Sequence, residues 1–202
     1  MPTAPDRNKV LKLARRPQGV TAREIAAAGI HRQVLTRLVA AGEIERIARG
    51  IYRLPGQSIT ENHGLVVVST AVPHGVVCLL SALQFHAIGT QLPSEVWIAI
   101  DHRARRPSLK YPPLRIVRSS GAALTEGVES HRLEGRTVRI YGVAKTLADC
   151  FKYRNKIGLD VGLEALREAS RARRFTMDEL DRYARICRVQ RVMRPYLEAL
   201  AS

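Results

Sequence analysis

The spacing of apolar residues along the first 57 positions predicts three short helices followed by two strands. The stretch "RNKVLKLAR" places its apolar side chains on one helical face, and "RPQG" then ends that helix. Thr21 and Glu24 have the spacing of a capping box, which predicts a second helix that ends at Gly29. The stretch "HRQVLTRLVAAG" predicts a third helix ending at Gly42, and the alternation in "EIERI" and "GIYRL" around "ARG" predicts a tight hairpin. This order of elements is that of a winged helix-turn-helix.

The remaining chain predicts a mixed α/β region that becomes helical toward its end. Residues 58–73 indicate a linking helix, and "VVCLLSALQFHAIG" indicates a buried helix that ends at Gly89. Strands follow at 95–100 and 114–119, and "VESHRLEGRTVRIYG" indicates a hairpin that turns at Glu134 and Gly135. Thr176 and Glu179 form a second capping box. We therefore predict an α+β fold with a winged helix-turn-helix DNA-binding domain at 1–57, an α/β domain at 58–202, and helices at 143–202.

The charge of the chain favours a polyanionic partner. Thirty-three lysines and arginines stand against 18 aspartates and glutamates, a net charge of +15. Residues 1–57 hold eleven of these basic groups and only four of the acidic ones, so positive charge is densest there. Because the basic residues come with no bulky aromatic face and the longest apolar run is too short for a span, we expect nucleic acid rather than a membrane as partner.

The cysteines and the N-terminus indicate a cytoplasmic protein. Cys78, Cys150 and Cys187 lie far apart without a C-x-x-C pair, which is typical of buried free thiols and not of a metal or redox site. The first residues lack the apolar core of a signal peptide. We expect a cytoplasmic location, no bound metal and no cofactor.

The third predicted helix has the two faces of a base-reading helix. A helical wheel places its core-facing apolar side chains at Leu35, Leu38 and Val39. The opposite face carries Gln33, Thr36, Arg37 and Ala40, with Arg32 at the flank. Arginine pairs with guanine and glutamine with adenine in the major groove, and the N-terminal turns of such a helix make these contacts. The predicted base readers are His31, Arg32, Gln33, Thr36 and Arg37.

Neighbouring residues are predicted to contact the DNA backbone. Thr21 and Arg23 lie at the start of the second helix, where free N–H groups favour phosphate. Arg46, Arg49 and Arg53 belong to the predicted wing, with Arg49 at its turn. Two other interpretations stay open, since exposed arginines are often simply solvated and such domains also serve as protein-binding modules.

An enzymatic second domain is the less favoured hypothesis. Ser81, His86, Asp101, His102 and Asp149 suggest a hydrolase, but no G-x-S-x-G motif occurs and Ser81 and His86 lie five residues apart on one helix. We expect Ser81 to satisfy a backbone carbonyl, His86 to cap its helix, and Asp149 to pair with Arg154 or cap a strand. Asp101 ends a strand without the acidic partner of a metal nuclease.

The chain resembles the AbiEi-type antitoxins of abortive-infection, type IV toxin–antitoxin systems. In "GVTAREIAAAGIHRQVLTRLVAAGEIERIARGIYRL" the resemblance is carried by Gly42, Ile44, Arg46, Ile47, Arg49, Gly50 and Tyr52. It continues through Cys78, Leu79, Ser81, Ala82, Leu83, His86 and Pro93, with Ile88-Gly89-Thr90 as a departure, and then through Thr146, Asp149, Arg154, Gly158 and Asp160.

The resemblance implies a regulator that binds inverted repeats upstream of its own operon and represses it, with two copies on the DNA. It also implies neutralisation of a co-encoded nucleotidyltransferase-like toxin. A second basic cluster in "HRARRPSLKYPP" is either a solvated loop or a candidate for further phosphate contacts or for binding an acidic surface of the toxin. Its members are Arg103, Arg105, Arg106 and Lys110.

Overall fold

A computed structural model describes residues 4–16, 19–56, 60–109 and 111–201 of the protein. The chain forms two compact units. The first consists of Met1–Pro73, Pro107–Pro113 and Arg132–Val138, and the second of His74–Arg106, Leu114–His131 and Arg139–Ser202. The first unit is thus assembled from three stretches of sequence, and the domain boundary after residue 57 stays a prediction.

The first unit contains the three helices and the hairpin that the apolar pattern predicts, which confirms this part of the α+β fold. A fourth helix, α4, falls within the predicted linking segment. In chain order the elements are α1 (Ala4–Ala14), β1 (Val20–Thr21), α2 (Ala22–Ala27), α3 (Gln33–Ala40), β2 (Glu45–Ala48), β3 (Ile51–Arg53) and α4 (His63–Ala71).

Local hydrogen bonds fix both ends of α2. Thr21 and Glu24 form the predicted capping box, in which each side chain accepts from the backbone N–H of the other residue. At the other end, Gly29 takes a φ of 75°, donates to the carbonyl of Ala26, and lets Ile30 donate to the carbonyl of Ile25. Because only glycine adopts this backbone conformation without strain, Gly29 sets the sharp turn from α2 into α3.

The core of the first unit confirms one predicted face of α3 and corrects one residue. Leu35 and Leu38 are buried as predicted, but Val39 is 36 % exposed and Val34 takes the core position instead. The helical period does not fix which edge of the apolar stripe is covered, and in the fold the buried stripe of α3 consists of Val34, Leu35 and Leu38. The buried cluster comprises Val10, Ala14, Val20, Ala22, Ile25, Ile30, Val34, Leu35, Leu38 and Ile44.

A three-stranded antiparallel sheet joins the hairpin to the start of α2. Its order is β1-β3-β2, with Thr21 opposite Ile51 and Val20 opposite Tyr52. The β2–β3 ladder shifts register between Arg46 and Ala48. The pairing of β1 with β3 therefore ties the N-cap of α2 to the strand that follows Arg49 and Gly50.

A five-stranded sheet of order β6-β5-β4-β8-β7 has most of its residues in the second unit, while the end of β7 and the start of β8 belong to the stretch Arg132–Val138 of the first unit. Strands β4 and β5 are antiparallel, whereas β5 with β6 and β4 with β8 are parallel. The elements up to the sheet's last strand are β4 (Val76–Val77), α5 (Leu79–Phe85), β5 (Val96–Asp101), β6 (Leu114–Ser119), α6 (Ala122–Thr125), β7 (Val128–Leu133) and β8 (Arg136–Tyr141).

The start of the predicted helix at 76–89 was wrong. Val76 and Val77 form the short strand β4, with Val76 opposite Ala99 and Val77 opposite both Ile98 and Ile140. A short run of apolar residues suits a buried strand as well as a buried helix. Here the two neighbouring strands supply hydrogen-bond partners, so the helix begins only at Leu79.

Helices follow the sheet, as predicted for 143–202. They are α7 (Val143–Lys152), α8 (Arg154–Ile157), α9 (Leu159–Arg171), α10 (Met177–Cys187) and α11 (Gln190–Ala201). Thr176 and Glu179 form the second predicted capping box, at the start of α10. Among the described residues, no helix is both long and apolar enough to cross a membrane.

Helix α7 is the central helix of the second unit, and it corrects the pairing expected for Asp149. Every residue from Ala144 to Cys150 is buried. Asp149 accepts a hydrogen bond from Lys145 at 2.5 Å and one from the thiol of Cys187 at 3.2 Å. Arg154, the expected partner, instead donates to the carbonyl of Phe151, because it lies beyond the end of α7 while Lys145 lies one turn before Asp149.

Candidate nucleic-acid interface

An open depression on the first unit gathers six of the ten residues predicted to contact DNA. It has a volume of about 880 Å³. The start of α2, the exposed face of α3 and the β2–β3 hairpin all contribute to it. The six predicted residues that line it are Thr21, Arg23, Arg32, Thr36, Arg46 and Arg49.

Five arginines around this surface carry uncompensated charge. All five are exposed, and within the described part of the chain none of them forms an ion pair. They are Arg23, Arg32, Arg37, Arg46 and Arg49. Arg46 donates through Nε to the carbonyl of Ala48 at 3.2 Å, which orients its side chain along the hairpin. Because an unpaired guanidinium keeps its full charge and its donors, this surface attracts anions.

The glutamates of the N-terminal segment are paired with other arginines. Glu43 lies 2.5 Å from Arg7, and Glu45 is paired with Arg53. Glu24 lies 2.6 Å from Arg136 and 4.0 Å from Arg16. The negative charges nearest to the predicted reading residues are therefore already neutralised by arginines outside the five.

Glu24 is the acidic member of the depression, and three groups hold it as a carboxylate. Burial alone would raise its pKa, but hydrogen bonds from Arg136 and from the hydroxyl and backbone N–H of Thr21 outweigh burial and keep the pKa below its ordinary value. The hydroxyl of Thr21 is thus engaged in the capping box, which limits it as a donor to an external group.

The other four predicted DNA contacts lie outside the depression. Gln33 and Arg37 are exposed on α3, next to the lining residues in sequence. His31 is exposed, and its Nδ1 accepts from the backbone N–H of Gln33 at 3.2 Å at the start of α3. Arg53 is half-buried against Glu45, so its charge is satisfied within the hairpin.

The structure adds Arg136, which no pattern in the sequence singles out. It begins β8, lies 112 residues after Glu24 in the chain, and lines the same depression. No local motif links it to the N-terminal helices. Only its position in the first unit, in the stretch Arg132–Val138, brings it there.

The second basic cluster lies in a loop that Arg118 organises. Nη1 of Arg118 donates to the carbonyls of His102 and Ala104 at 2.8 and 2.9 Å. The side chains of Arg103, Arg105 and Arg106 are exposed on this loop, while Lys110 lies outside the described residues.

The residues that suggest a hydrolase have structural partners in the fold. Ser81 accepts from the backbone N–H of Trp97 at 2.9 Å and donates to the carbonyl of Glu95 at 3.5 Å, as expected. His86 is the C-cap of α5, and its Nε2 donates to the carbonyl of Tyr141 at 2.8 Å. Burial lowers the pKa of His86 and outweighs the hydrogen bond to the carbonyl of Tyr141, which acts in the opposite direction, so the neutral ring is favoured.

The two remaining members of the hydrolase set lie elsewhere. Asp101 ends β5, and its carboxylate accepts from the backbone N–H of Arg103 at 2.8 Å, while His102 is exposed beside it. In the described ranges, no three histidine, cysteine, aspartate or glutamate side chains are grouped so as to hold a metal ion. The three thiols are free and buried, and burial raises the pKa of each, to about 12 for Cys187.

Three helices, a tight turn between the second and third, and an exposed basic third helix are the features of a helix-turn-helix fold. Residues 8–55, which span most of α1 and the elements up to the hairpin, match the family described as transcriptional regulator, AbiEi antitoxin. The match confirms the resemblance to AbiEi-type regulators over this segment, whereas the resemblance of the later segments stays a prediction. No protein of curated function matches the chain.

Proposed function

We propose that the first unit binds operator DNA through α3 and the β2–β3 hairpin. The observation that carries the proposal is a set of five exposed arginines on α2, on the hairpin, and on α3 and its N-cap. Among the residues that the structure describes, these arginines form no ion pair, and the neighbouring glutamates are already paired. Such an arrangement supplies the positive surface that a phosphate backbone needs and leaves the guanidinium donors available.

Each element has a distinct role in this proposal. The exposed face of α3 enters the major groove, where His31, Arg32, Gln33, Thr36 and Arg37 read base edges. Thr21 and Arg23 face the backbone at the start of α2, and Arg46 and Arg49 extend the contact along the hairpin. Arg53 contributes least, because it lies outside the depression and is paired with Glu45.

The complete function that we propose is that of a cytoplasmic antitoxin and autorepressor. One helix-turn-helix reads a short half-site, so two copies bind an inverted repeat upstream of the operon. The second unit counteracts a co-encoded nucleotidyltransferase-like toxin, and the loop of Arg103, Arg105 and Arg106 offers an exposed basic surface for that partner or for further DNA. The family of the matched segment, regulators described as antitoxins, supports this assignment.

Binding to the DNA upstream of the native gene tests the proposal. We expect the full chain to shift this DNA in a gel and to bind a scrambled sequence of equal length more weakly. Equal binding to both DNAs would contradict sequence-specific binding to an operator. Arg37→Ala changes one exposed arginine of α3 and leaves the core intact, so this variant should bind the upstream DNA with a weaker preference over the scrambled sequence than the wild type does.

A partner protein is the alternative ligand of the basic surface. It is favoured if the chain co-purifies with the neighbouring gene product after nuclease treatment and Arg32→Glu or Arg49→Glu breaks that complex. Loss of toxin neutralisation on truncation of α10 and α11, with DNA binding retained, would support the division of roles between the two units.

A further inference from the structure

Arg136 occupies the depression of the first unit although it belongs to a distant hairpin. It follows the turn at Glu134 and Gly135, and its side chain is 24 % exposed. Its Nη2 donates to Oε2 of Glu24 at 2.6 Å. The same depression is lined by Arg23 and Arg49, so Arg136 adds a sixth guanidinium to the surface proposed to meet DNA.

The turn that carries Arg136 is held by buried contacts within the first unit. Oε2 of Glu134 lies 3.0 Å from Nδ1 of His63, and both side chains are almost completely buried. The hydroxyl of Thr60 donates to the other carboxylate oxygen of Glu134 at 2.5 Å. Both oxygens of Glu134 are therefore engaged, and these contacts tie the hairpin tip to Thr60 and His63.

One nitrogen of Arg136 lacks an acceptor. Its Nε is buried and, in the described part of the chain, has no hydrogen-bond partner. A guanidinium has five N–H donors, and a buried donor without an acceptor destabilises the free protein. Because Nε is enclosed, an anionic oxygen from outside would form its charge-assisted hydrogen bond with the exposed part of the guanidinium, which lines the depression.

From these contacts we infer that Arg136 is a further phosphate-binding residue of the DNA interface, oriented by Glu24 and supplied from outside the helix-turn-helix segment. This inference rests on the proposed DNA binding. The inference makes the β7–β8 hairpin a part of the DNA interface. Residues 8–55, which match the family, supply the base-reading helix, and the β7–β8 hairpin supplies one contact to the DNA backbone.

The salt dependence of DNA binding tests the inference. For the full chain on its upstream DNA, Arg136→Ala should reduce the slope of log K against log salt by about 0.9, the value for one phosphate contact. Arg136→Lys keeps the charge and should keep most of the slope. Arg132→Ala is the matched control, because Arg132 is an exposed arginine of the same hairpin and should leave the slope unchanged.

A double variant separates a phosphate contact from the charge of Glu24. Glu24→Gln retains a side chain that completes a capping box and, combined with Arg136→Ala, keeps the net charge of the wild type. A phosphate contact predicts that the slope stays reduced in this variant. If the slope returns to the wild-type value, or never changed in Arg136→Ala, Arg136 is only a structural residue and the inference is wrong. If the wild type itself shows no preference for its upstream DNA, the proposed function fails instead.

Discussion

Lys145 and Asp149 form an ion pair of 2.5 Å inside the second unit, one turn apart on α7, with side chains 0 % and 7 % exposed. The ammonium of Lys145 also lies 4.0 Å from the ring centre of Tyr141, and the thiol of Cys187 donates to the second oxygen of Asp149. Each charge is thus compensated where water does not reach, so the two residues depend on each other.

We predict that Asp149→Ala lowers the free energy of unfolding by about 3–5 kcal/mol, because it leaves the ammonium of Lys145 buried without a partner. Replacing both residues, by Lys145→Met and Asp149→Leu, should cost much less. Urea denaturation measures both. The control is Arg194→Ala, which removes an exposed pair of the same spacing with Glu198 and should leave the midpoint unchanged. Equal losses for the single and double variants would contradict the prediction.

We predict that truncating a side chain on the buried face of α3 destabilises the protein far more than truncating one on its exposed face. Leu38→Ala should destabilise the first unit by about 2–5 kcal/mol, because Leu38 is 2 % exposed within the core. Val39→Ala should cost less than about 0.5 kcal/mol, since Val39 is 36 % exposed. Thermal denaturation of the two variants decides the matter. A large loss for Val39→Ala would restore the face predicted by the helical wheel.

From the lowered pKa of His86 we predict that the protein loses stability in mild acid. Burial lowers its pKa in the folded state, so the unfolded chain binds the proton more readily. The stabilisation is complete above the unfolded value of about 6.5 and is lost as the pH falls through the folded pKa. The urea midpoint of wild type should fall between about pH 8 and about pH 5 by more than that of His86→Gln.

The control for His86 is His74→Gln, which alters an exposed histidine of the same unit and should retain the wild-type pH dependence. If His86→Gln loses as much stability on acidification as wild type does, another group is responsible.

We predict that removing Arg37 and removing Arg49 weaken DNA binding in different ways. Arg37→Ala should lower the preference for the upstream sequence over a scrambled one by about 1–3 kcal/mol, because Arg37 lies on the outer face of α3. Arg49→Ala should weaken binding to both sequences alike and leave the preference intact, because we propose that the hairpin turn contacts the DNA backbone. Fluorescence anisotropy with both DNAs measures the two effects. An unchanged preference in Arg37→Ala would remove it from the base readers.

The helix-turn-helix was predictable because its determinants are local. The capping box of Thr21 and Glu24 spans three residues, and the turn at Gly29 depends on one backbone conformation. The exposed face of α3 follows from the 3.6-residue period alone. The helical wheel nevertheless placed Val39 on the buried face. The 3.6-residue period shows which side chains share a face of a helix, but it does not show which edge of that face a neighbouring element covers.

Contacts between distant residues were not predictable from the chain. The strand at Val76 and Val77 exists because β5 and β8 lie on either side, and the thiol of Cys187 donates to Asp149, 38 residues earlier in the chain, because both are enclosed in one core. Spacing along the chain describes neighbours within a helix, whereas these partners are set by which elements pack together.

The sequence by itself determined the order of the helices and hairpin, their caps and turns, and the basic face of α3, because each depends on interactions within a few residues. The tertiary structure decided which charges are left uncompensated and that Arg136 lies in the depression beside Glu24. An ion pair between residues 112 positions apart forms only when packing brings them together, and no local pattern records it.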